Sequence, residues 1–420
     1  MDCGLADVLA AKAGLEEPAD PRMLAPPPFF DGRVRPRADG KGVYGQPLPN
    51  AIDTENFTVQ WDHPDVDPDR AAEIAEALEA GWAALVEAGG WPQPVSSDQY
   101  LLWVILDPTI SGSGFTTTYE TDAYPDGYPV LYVNPDFAPG YPGFERSVSV
   151  HEFGHALQFG LRDWWTEGTD AWYWEATSEW VAELGLPDAD TYALSTYWYA
   201  VAPEASFDST VDSHQYGMLL LNAYLDEYEI GAEGIRDVWI AGEGGGHWED
   251  LIAEATGRDF GDVVADMTGA YAAGALRESP LYYEPTFDDP VWTSDLPGRY
   301  GTHYVDLGVA MTLDVTGDVE VRYVLDGGWS EEPPGDVVTF TAVARRGEYG
   351  YGELVADVED DCLCADEAPP EAPAGGCASA TASVPPWVLL ILARARGGPP
   401  ARARSRRAGP PAADRSPAPS

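Results

Sequence analysis

The pattern of apolar and polar residues predicts strands in the first third of the chain. Residues 56–61, NFTVQW, alternate as a half-buried strand does, and 100–106, YLLWVIL, are predominantly apolar, as in a buried strand. Residues 128–135, YPVLYVNP, have the composition of a third strand. Pro129 places that strand at a sheet edge, because proline has no N–H to donate to a strand ladder.

A helical period follows the first strand and dominates from residue 145 onward. Asp67 can cap a helix whose first turn holds Pro68, and apolar residues then recur at helical spacing as far as Leu85. Further helices are predicted at 145–160, 169–184 and 213–231, with more to about residue 275. Strands that precede helices in this way indicate an α+β fold.

The same pattern divides the chain into segments of different character. Residues 1–50 are rich in proline, glycine and alanine and are predicted to be irregular, and the α+β domain covers 51–280. Short β-type runs parted by glycine and proline predict a small β-sandwich at 285–358. Residues 359–383 have the composition of a linker, and 384–420 combine a short apolar run with a basic tail.

The net charge of the chain excludes some classes of binding partner. The 420-residue chain has a formal net charge of −48, which repels nucleic acid and anionic membrane, so a nucleic-acid partner is not expected. The acidic residues are interpreted first as a strongly solvated surface. Ca²⁺ sites are the alternative, since carboxylate oxygens are ligands of that ion, although the sequence has no loop of the D-x-D-x-D-G type.

The four cysteines, Cys3, Cys362, Cys364 and Cys377, all lie outside the α+β domain. A zinc site built from thiolates is therefore not expected there. One disulfide among the last three would suit an extracytoplasmic protein. The N-terminus lacks a basic region followed by a long apolar run, so it does not have the pattern of a signal peptide. For an exported protein, the start would lie upstream.

The C-terminal segment contains Cys377, an apolar run at 387–393 and a cluster of arginines, in that order. The run is much shorter than the ~20 apolar residues of a membrane helix. The order resembles the C-terminal sorting signals of myxobacterial surface proteins. That resemblance implies a secreted or cell-surface protein, attached to the membrane through its tail. The alternative is a disordered basic tail.

The candidate chemistry is concentrated in SVSVHEFGHALQFG, residues 147–160. On a helix, His151 and His155 lie on one face a turn apart, where two imidazole nitrogens can bind one Zn²⁺ ion. Glu152 points about 100° round the helix. From there it can act as a general base on a water without being a ligand itself. The alternative is a partly buried helix whose histidines are bonded to neighbouring side chains.

A catalytic zinc site needs a third protein ligand. The metzincin spacing fails, because Gln158 and Leu161 stand where that pattern has glycine and a third histidine. Nineteen residues after His155, the segment WEATSEW offers Glu175 as a ligand and, one turn later on the same face, Glu179. Glu179 can accept the free N–H of a ligating histidine and fix its tautomer.

The motif HEFGH, nineteen residues and then EATSE together resemble the gluzincin metallopeptidases, the class that includes thermolysin. In those enzymes the third ligand opens a Glu-x-x-Ser-Asp segment, which Glu175, Ser178 and Glu179 match with glutamate in place of the final aspartate. The chain also resembles the secreted HExxH proteins of myxobacteria. The resemblance implies a zincin-like catalytic domain, with a mixed sheet followed by helices.

The gluzincin resemblance implies a zinc-dependent endopeptidase. Zinc would polarise a water and the scissile carbonyl, and Glu152 would take the proton from that water and deliver it to the leaving amine. The oxyanion needs a further donor. His214 and Tyr216, in DSHQYG, are the candidates, and the alternative for His214 is a capping or surface residue.

A protein or peptide is the expected substrate, bound by a chain expected to act as a monomer. An extended peptide could add to the predicted edge strand 128–135. Tyr128 and Tyr132 would then supply apolar subsites, with core packing as their alternative.

Two other functions are compatible with the same residues. The first is a non-catalytic surface protein with a structural metal site and a β-domain that binds a partner. The second is an aminopeptidase, but no G-x-M-E-N motif precedes the helix. Glu152 discriminates against the first, because a structural zinc site has no use for a base and normally has four protein ligands.

Overall fold

The computed structural model describes most of the region between residues 41 and 344 and a few shorter pieces. The described residues are 21–23, 34–35, 41–121, 124–138, 141, 143–161, 171–189, 192–210, 213–277, 299–311, 313–316, 319–325, 327–332, 337–344 and 355–358. The chain divides into a unit of residues 1–360 and a second unit of 361–420, and every described residue belongs to the first. The predicted linker, the predicted sorting tail and the four cysteines lie outside the described residues.

The described secondary structure is α+β, as predicted. The strands are β1 (Val34–Arg35), β2 (Val43–Tyr44), β3 (Asn50–Asp53), β4 (Phe57–Trp61), β5 (Leu102–Leu106), β6 (Gly114–Thr121), β7 (Tyr124–Val133), β8 (Thr302–Met311), β9 (Leu313–Thr316), β10 (Val319–Leu325), β11 (Gly328–Ser330), β12 (Val337–Ala344) and β13 (Val355–Val358). The α-helices are α1 (Pro68–Trp82), α2 (Phe144–Phe159), α3 (Ala171–Gly185), α4 (Thr196–Ala200), α5 (His214–Gly217), α6 (Leu219–Tyr224), α7 (Gly231–Ala241), α8 (Trp248–Thr256) and α9 (Phe260–Ala272). None of the described helices is both long enough and apolar enough to cross a membrane.

The N-terminal half is built on a five-stranded mixed sheet with the order β3-β4-β5-β7-β6. The pairs β4–β5 and β5–β7 are parallel, and the other two pairs are antiparallel. Because side chains alternate along a strand, each strand contributes to two separate cores. Leu131 of β7 belongs to the core shared with the helices, whereas its neighbours Val130 and Tyr132 belong to a second cluster on the opposite face.

The strand order corrects the predicted sheet edge. The strand containing residues 128–133 lies inside the sheet, and β6 forms the edge. Pro129 stands opposite Thr118 of β6, and pairing with β5 begins one residue later, at Val130. Proline is tolerated at this position because residue 129 does not pair with β5, so no backbone N–H is needed there for a hydrogen bond to that strand.

The described residues of the N-terminal segment include the short strands β1 and β2, and some of them contribute to the second core. Met23, Val43 and Tyr44 are buried with the tyrosines of β7. Thr117 Oγ1 donates a hydrogen bond to the Met23 carbonyl over 2.9 Å. These three residues therefore lie against the face of the sheet that is turned away from the helices.

Helix α1 begins as its sequence predicts. The carboxylate of Asp67 accepts a hydrogen bond from the Asp69 N–H over 3.0 Å, and Pro68 occupies the first turn. The rings of Trp82 in α1 and Phe153 in α2 stack with their centroids 5.8 Å apart. The helix thus packs its apolar face against the helix that carries HEFGH.

Helices α2 and α3 approach each other closely because small residues lie between them. A Cβ atom at Gly154 would come within 2.9 Å of Ser178 Oγ and 3.1 Å of Val181 Cγ1, both on α3. A Cβ atom at Gly185 would come within 2.7 Å of Val150 Cγ1 on α2. Helix α2 also packs across β6 and β7. The central helix is therefore held between the sheet edge and α3.

The C-terminal strands form two antiparallel sheets, one with the order β11-β10-β12-β8 and one pairing β13 with β9. The larger sheet packs on α9, where Trp329 lies against Gly269 and the buried Arg322 forms an ion pair with Asp266. Antiparallel sheets agree with the predicted β-type runs. Their arrangement as a sandwich remains a prediction.

Candidate metal centre

Three buried side chains converge between α2 and α3. Glu175 Oε2 lies 3.1 Å from His151 Nε2 and 3.3 Å from His155 Nε2. The ligand atoms of the three residues all lie within 4.8 Å of one another, and each residue is buried. His151, His155 and Glu175 therefore form a group that can hold a metal ion.

The backbone of the two helices sets this geometry. His151 and His155 are one helical turn apart, with ring centroids 4.7 Å apart and ring planes at 89°. Glu175 projects from α3, which can approach because residue 154 has no side chain. One turn of α2 and one residue of α3 thus direct three possible ligand atoms toward the same point.

The buried carboxylate of Glu175 indicates that a cation belongs among these three side chains. Oxygen atom Oε1 of Glu175 has no hydrogen-bond partner among the described residues, and its carboxylate is fully buried. Such a carboxylate is costly unless positive charge compensates it. A metal ion would supply that charge while both imidazoles remain neutral.

Without a metal, protonated histidine must supply the positive charge. Burial alone lowers the pKa of His151, but hydrogen bonding and attraction to Glu175 and Glu179 overcome burial and raise that pKa to about 10. Burial opposes ionisation of Glu175, and the charges and hydrogen bonds of His155 and His151 nevertheless lower its pKa. The site therefore favours positive charge next to an ionised Glu175.

Glu179 lies on the other side of His151. Its Oε1 is 3.3 Å from His151 Nδ1, and its Oε2 accepts a hydrogen bond from Ser195 Oγ over 3.2 Å. The carboxylate therefore faces the histidine nitrogen that points away from the ligand group. A carboxylate in this position orients the ring and keeps Nε2 available to a metal.

His155 has different neighbours, which the sequence did not reveal. Its Nδ1 lies 2.7 Å from Gln158 Oε1 and 2.9 Å from Ser178 Oγ. Gln158 follows His155 by three residues on the same helix, and Ser178 belongs to the EATSE segment. Their spacing places them on the correct faces, but only the packing of α2 on α3 brings them together.

Glu152 is buried against the edge strand. Thr116 Oγ1 of β6 lies 2.7 Å from Glu152 Oε2 and 2.9 Å from the Glu152 carbonyl oxygen. A Cβ atom at Gly114 would come within 2.8 Å of Glu152 Oε1. The edge strand thus approaches the glutamate through a glycine and holds its carboxylate with a hydroxyl. Thr116 was not predicted, because no sequence spacing links β6 to α2.

The two predicted donors lie at different places. The ring of Tyr216 is 6.2 Å from that of His151, so Tyr216 neighbours the ligand group. The ring of His214 lies 5.7 Å from Tyr199, and neither of its nitrogens has a well-formed hydrogen bond among the described residues. Burial lowers the pKa of His214 to about 4, against a smaller opposing effect of the Trp198 backbone. His214 is therefore a buried neutral imidazole, not a capping or surface residue.

The positions of Tyr128 and Tyr132 contradict their predicted substrate-binding role. Both are fully buried on the sheet face opposite α2 and α3. The Tyr128 hydroxyl donates to the Leu101 carbonyl, and the Tyr132 hydroxyl lies 2.9 Å from that of Tyr119. Each tyrosine has an inward-facing ring and a bonded hydroxyl, so both serve packing.

No protein-family model matches this chain, and no curated protein proved similar to it in sequence. The strongest local feature is the buried group of two imidazoles and a carboxylate, with Glu152 held nearby on the same helix.

Proposed function

We propose that this protein is a zinc-dependent peptidase with a zincin-like catalytic region. His151, His155 and Glu175 are its metal ligands, and Glu152 is its general base. The observation that carries this proposal is the convergence of three buried ligand atoms within 4.8 Å in a chain whose sequence there is HEFGH. A glutamate beside the first ligand is what metal-assisted hydrolysis requires.

The donor set supports zinc as the metal. Two imidazole nitrogens and one carboxylate oxygen suit Zn²⁺, whereas Ca²⁺ prefers a shell made of oxygen atoms. The group found among the described residues has three members, which is the number of protein ligands in a catalytic zinc site that keeps one position open. A structural site would normally use four.

The chain's own residues can perform the proton transfers. Bound zinc would supply a Lewis acid that activates water and polarises the peptide carbonyl. Glu152 accepts the proton of the attacking water and returns it to the leaving nitrogen, while Thr116 fixes the orientation of the carboxylate. Tyr216 is the closer of the two candidate oxyanion donors, because its ring neighbours that of His151.

The edge strand is the natural place for a peptide substrate. Strand β6 has β7 on one side and no strand on the other in the described sheet. Gly114 and Thr116 of β6 also lie against Glu152. An extended peptide that adds to β6 would therefore lie beside the proposed base. The strand addition predicted for residues 128–135 thus belongs to β6.

The principal alternative is a non-catalytic surface protein that keeps the metal for stability. It explains the ligand group but gives no reason for Thr116 to hold a carboxylate next to the ligands. A role outside the cell, with the C-terminal tail as an anchor, fits both functions and remains part of the proposal.

The variant Glu152→Gln tests the proposal most simply. The amide keeps the size of the side chain but cannot accept the water's proton, so casein cleavage should fall by about 100-fold or more while zinc content stays unchanged. The exposed Glu233→Gln on α7 is the matched control and should cleave like the wild type.

Two results would contradict the proposal. One is equal cleavage by Glu152→Gln and wild type. The other is a wild-type protein that holds zinc at this site yet cuts neither casein nor a broad peptide library, which would favour the structural alternative.

A further inference from the structure

One buried glutamine faces the nitrogen of His155 that points away from the ligand group. Gln158 is fully buried, and its Oε1 lies 2.7 Å from His155 Nδ1. Ser178 Oγ lies 2.9 Å from the same nitrogen and donates to Gln158 Oε1 over 3.3 Å. The three polar groups form a closed cluster between α2 and α3.

The orientation of the Gln158 amide follows from its other partner. Its Nε2 lies 3.0 Å from the Trp174 carbonyl oxygen. A carbonyl only accepts hydrogen bonds, so the amide nitrogen must face Trp174. The amide oxygen must then face His155, because the alternative would place two acceptors in contact at one end of the side chain.

The same logic fixes the proton on the histidine. An amide oxygen cannot donate, so His155 Nδ1 must carry the hydrogen of the 2.7 Å contact. The lone pair of the neutral ring is then on Nε2, the atom that faces Glu175 Oε2 over 3.3 Å. Two acceptors in contact need a cation between them, which is a metal ion in the loaded site and a proton in the zinc-free one.

We propose that Gln158 is a positioning residue that holds His155 in its Nδ1–H tautomer and so presents Nε2 to the metal. This inference rests on the proposed metal site and adds a residue to which the HExxH pattern assigns no role. It also makes the two ligand histidines unequal, because His151 faces the carboxylate of Glu179 whereas His155 faces a neutral amide.

A purely structural role is the competing explanation, since Gln158 also ties α2 to α3 through Trp174. Two substitutions separate the roles. Gln158→Met removes the side-chain hydrogen bonds to His155, Ser178 and Trp174, whereas Gln158→Glu keeps an acceptor for His155 and Ser178 and loses the amide donor to Trp174. Gln60→Met is the matched control, because Gln60 is a buried, hydrogen-bonded glutamine on β4.

The experiment uses the full-length protein and measures the zinc dissociation constant by chelator competition. Gln158→Met should weaken zinc binding by about 10- to 100-fold, the usual cost of losing a partner of a ligating histidine. Gln158→Glu should bind zinc at least as tightly as the wild type, and Gln60→Met should lower the unfolding temperature without changing zinc affinity. Equal losses in both Gln158 variants would show that Gln158 acts only as a tether and would overturn the proposal.

A second measurement needs no variant. Long-range ¹H–¹⁵N NMR of the wild type, with and without zinc, reports which His155 nitrogen carries the proton. The expected result is a slowly exchanging Nδ1–H, and an Nε2–H tautomer would overturn the role of Gln158. If the wild type binds no zinc, the proposed function fails, while the zinc-free spectrum still shows whether Nδ1 of His155 carries the proton that Gln158 requires.

Discussion

At the scale of single residues, buried charge decides what the site can do. Glu152, Glu175 and Glu179 are all buried on two adjacent helices, together with two imidazoles. Carboxylates in such a place need compensating positive charge. A divalent cation supplies it while leaving both histidines neutral, which is the state in which they bind metal.

The three members of the buried group could be predicted from the sequence, but the side chains that surround them could not. Helical spacing placed His151 and His155 on one face, and the resemblance to gluzincins indicated Glu175 as the third member of the group. Thr116 and the contacts of Gln158 depend on how β6 and α3 pack on α2, which no local pattern encodes. Tyr128 and Tyr132 were predicted to bind substrate because the sequence of a strand does not show which of the two sheet faces its aromatic side chains occupy.

His214 gives a residue-scale prediction about pH. Burial depresses its folded-state pKa from 6.5 to about 4, so the unfolded chain binds its proton first as the pH falls. The stability that the neutral ring provides is complete above pH ~6.5 and should decline by about 3 kcal/mol as the pH falls to about 4.

Urea unfolding of zinc-free wild type and His214→Leu between pH 7 and pH 4 measures this effect. The difference in unfolding free energy between the two proteins should shift in favour of the variant as the pH falls. A difference that stays constant with pH would show that His214 titrates normally.

At the scale of elements, the approach of α2 to α3 decides whether Glu175 meets His151 and His155. The sequence predicted helices at 145–160 and 169–184, and the structure has Phe144–Phe159 and Ala171–Gly185. Both helices are buried on most of their faces, so neither has the one-sided apolar stripe of a surface helix. The helix predicted at 213–231 is instead divided into α5, α6 and a π-helical turn at Leu225–Glu229. Gly217 ends α5, but a single glycine inside a helical pattern is often tolerated and did not by itself predict a break.

The sheet shows where strand prediction fails. Strand β6 was missed, although its run of threonines has β propensity, and β7 was placed at the edge on the evidence of one proline. Strand order depends on contacts between distant segments. The position of an edge is therefore decided by the tertiary fold.

Gly154→Ala tests the helix contact. The added methyl group would press on Ser178 Oγ and Val181 Cγ1 and lie 3.4 Å from Ser178 Cα, so we expect α3 to move away from α2. We expect a loss of about 1–3 kcal/mol in unfolding free energy. Zinc should also raise the unfolding temperature less than it does in the wild type, because Glu175 moves with α3.

The matched control is Gly328→Ala in β11, where an added Cβ would have nothing within 4 Å. It should leave zinc stabilisation unchanged. Wild-type zinc stabilisation in Gly154→Ala would show that the ligand geometry does not depend on this contact.

At the scale of the whole molecule, a buried ion-pair network joins the C-terminal sheet to the helices. Asp266 of α9 contacts Arg322 of β10 and also Arg258, whose Nη2 lies 2.6 Å from Asp266 Oδ2. The sequence predicted a separate β-domain and no ion pairs between it and the helices. Arginines are usually exposed, so nothing in the sequence indicated that Arg322 would be buried against Asp266.

Arg322→Met is expected to lower the unfolding free energy by about 3–5 kcal/mol, because it leaves buried Asp266 with one cation fewer. Calorimetry should still show the sheet and the helices unfolding in a single transition. Arg277→Met, at a mostly exposed arginine, is the control and should have little effect. Separate transitions for the two parts in the wild type would contradict this coupling.

The net charge gives a second whole-molecule prediction. A formal charge of −48 should attract cationic peptides and repel anionic ones before they reach the site. Raising the salt concentration from about 0.02 M to about 0.5 M should therefore lower kcat/KM several-fold for a lysine-rich substrate and raise it for a glutamate-rich one. Equal salt dependence for both peptides would exclude long-range steering.

The central claim is that α2 and α3 hold one zinc ion through two imidazoles and a carboxylate. Its most direct test is a crystal structure of the zinc-loaded protein with anomalous diffraction collected at the zinc edge. The account predicts a single strong peak about 2.0–2.2 Å from the Nε2 atoms of His151 and His155 and from a carboxylate oxygen of Glu175. A zinc-loaded crystal without density at this position, or with zinc bound only elsewhere, would contradict it.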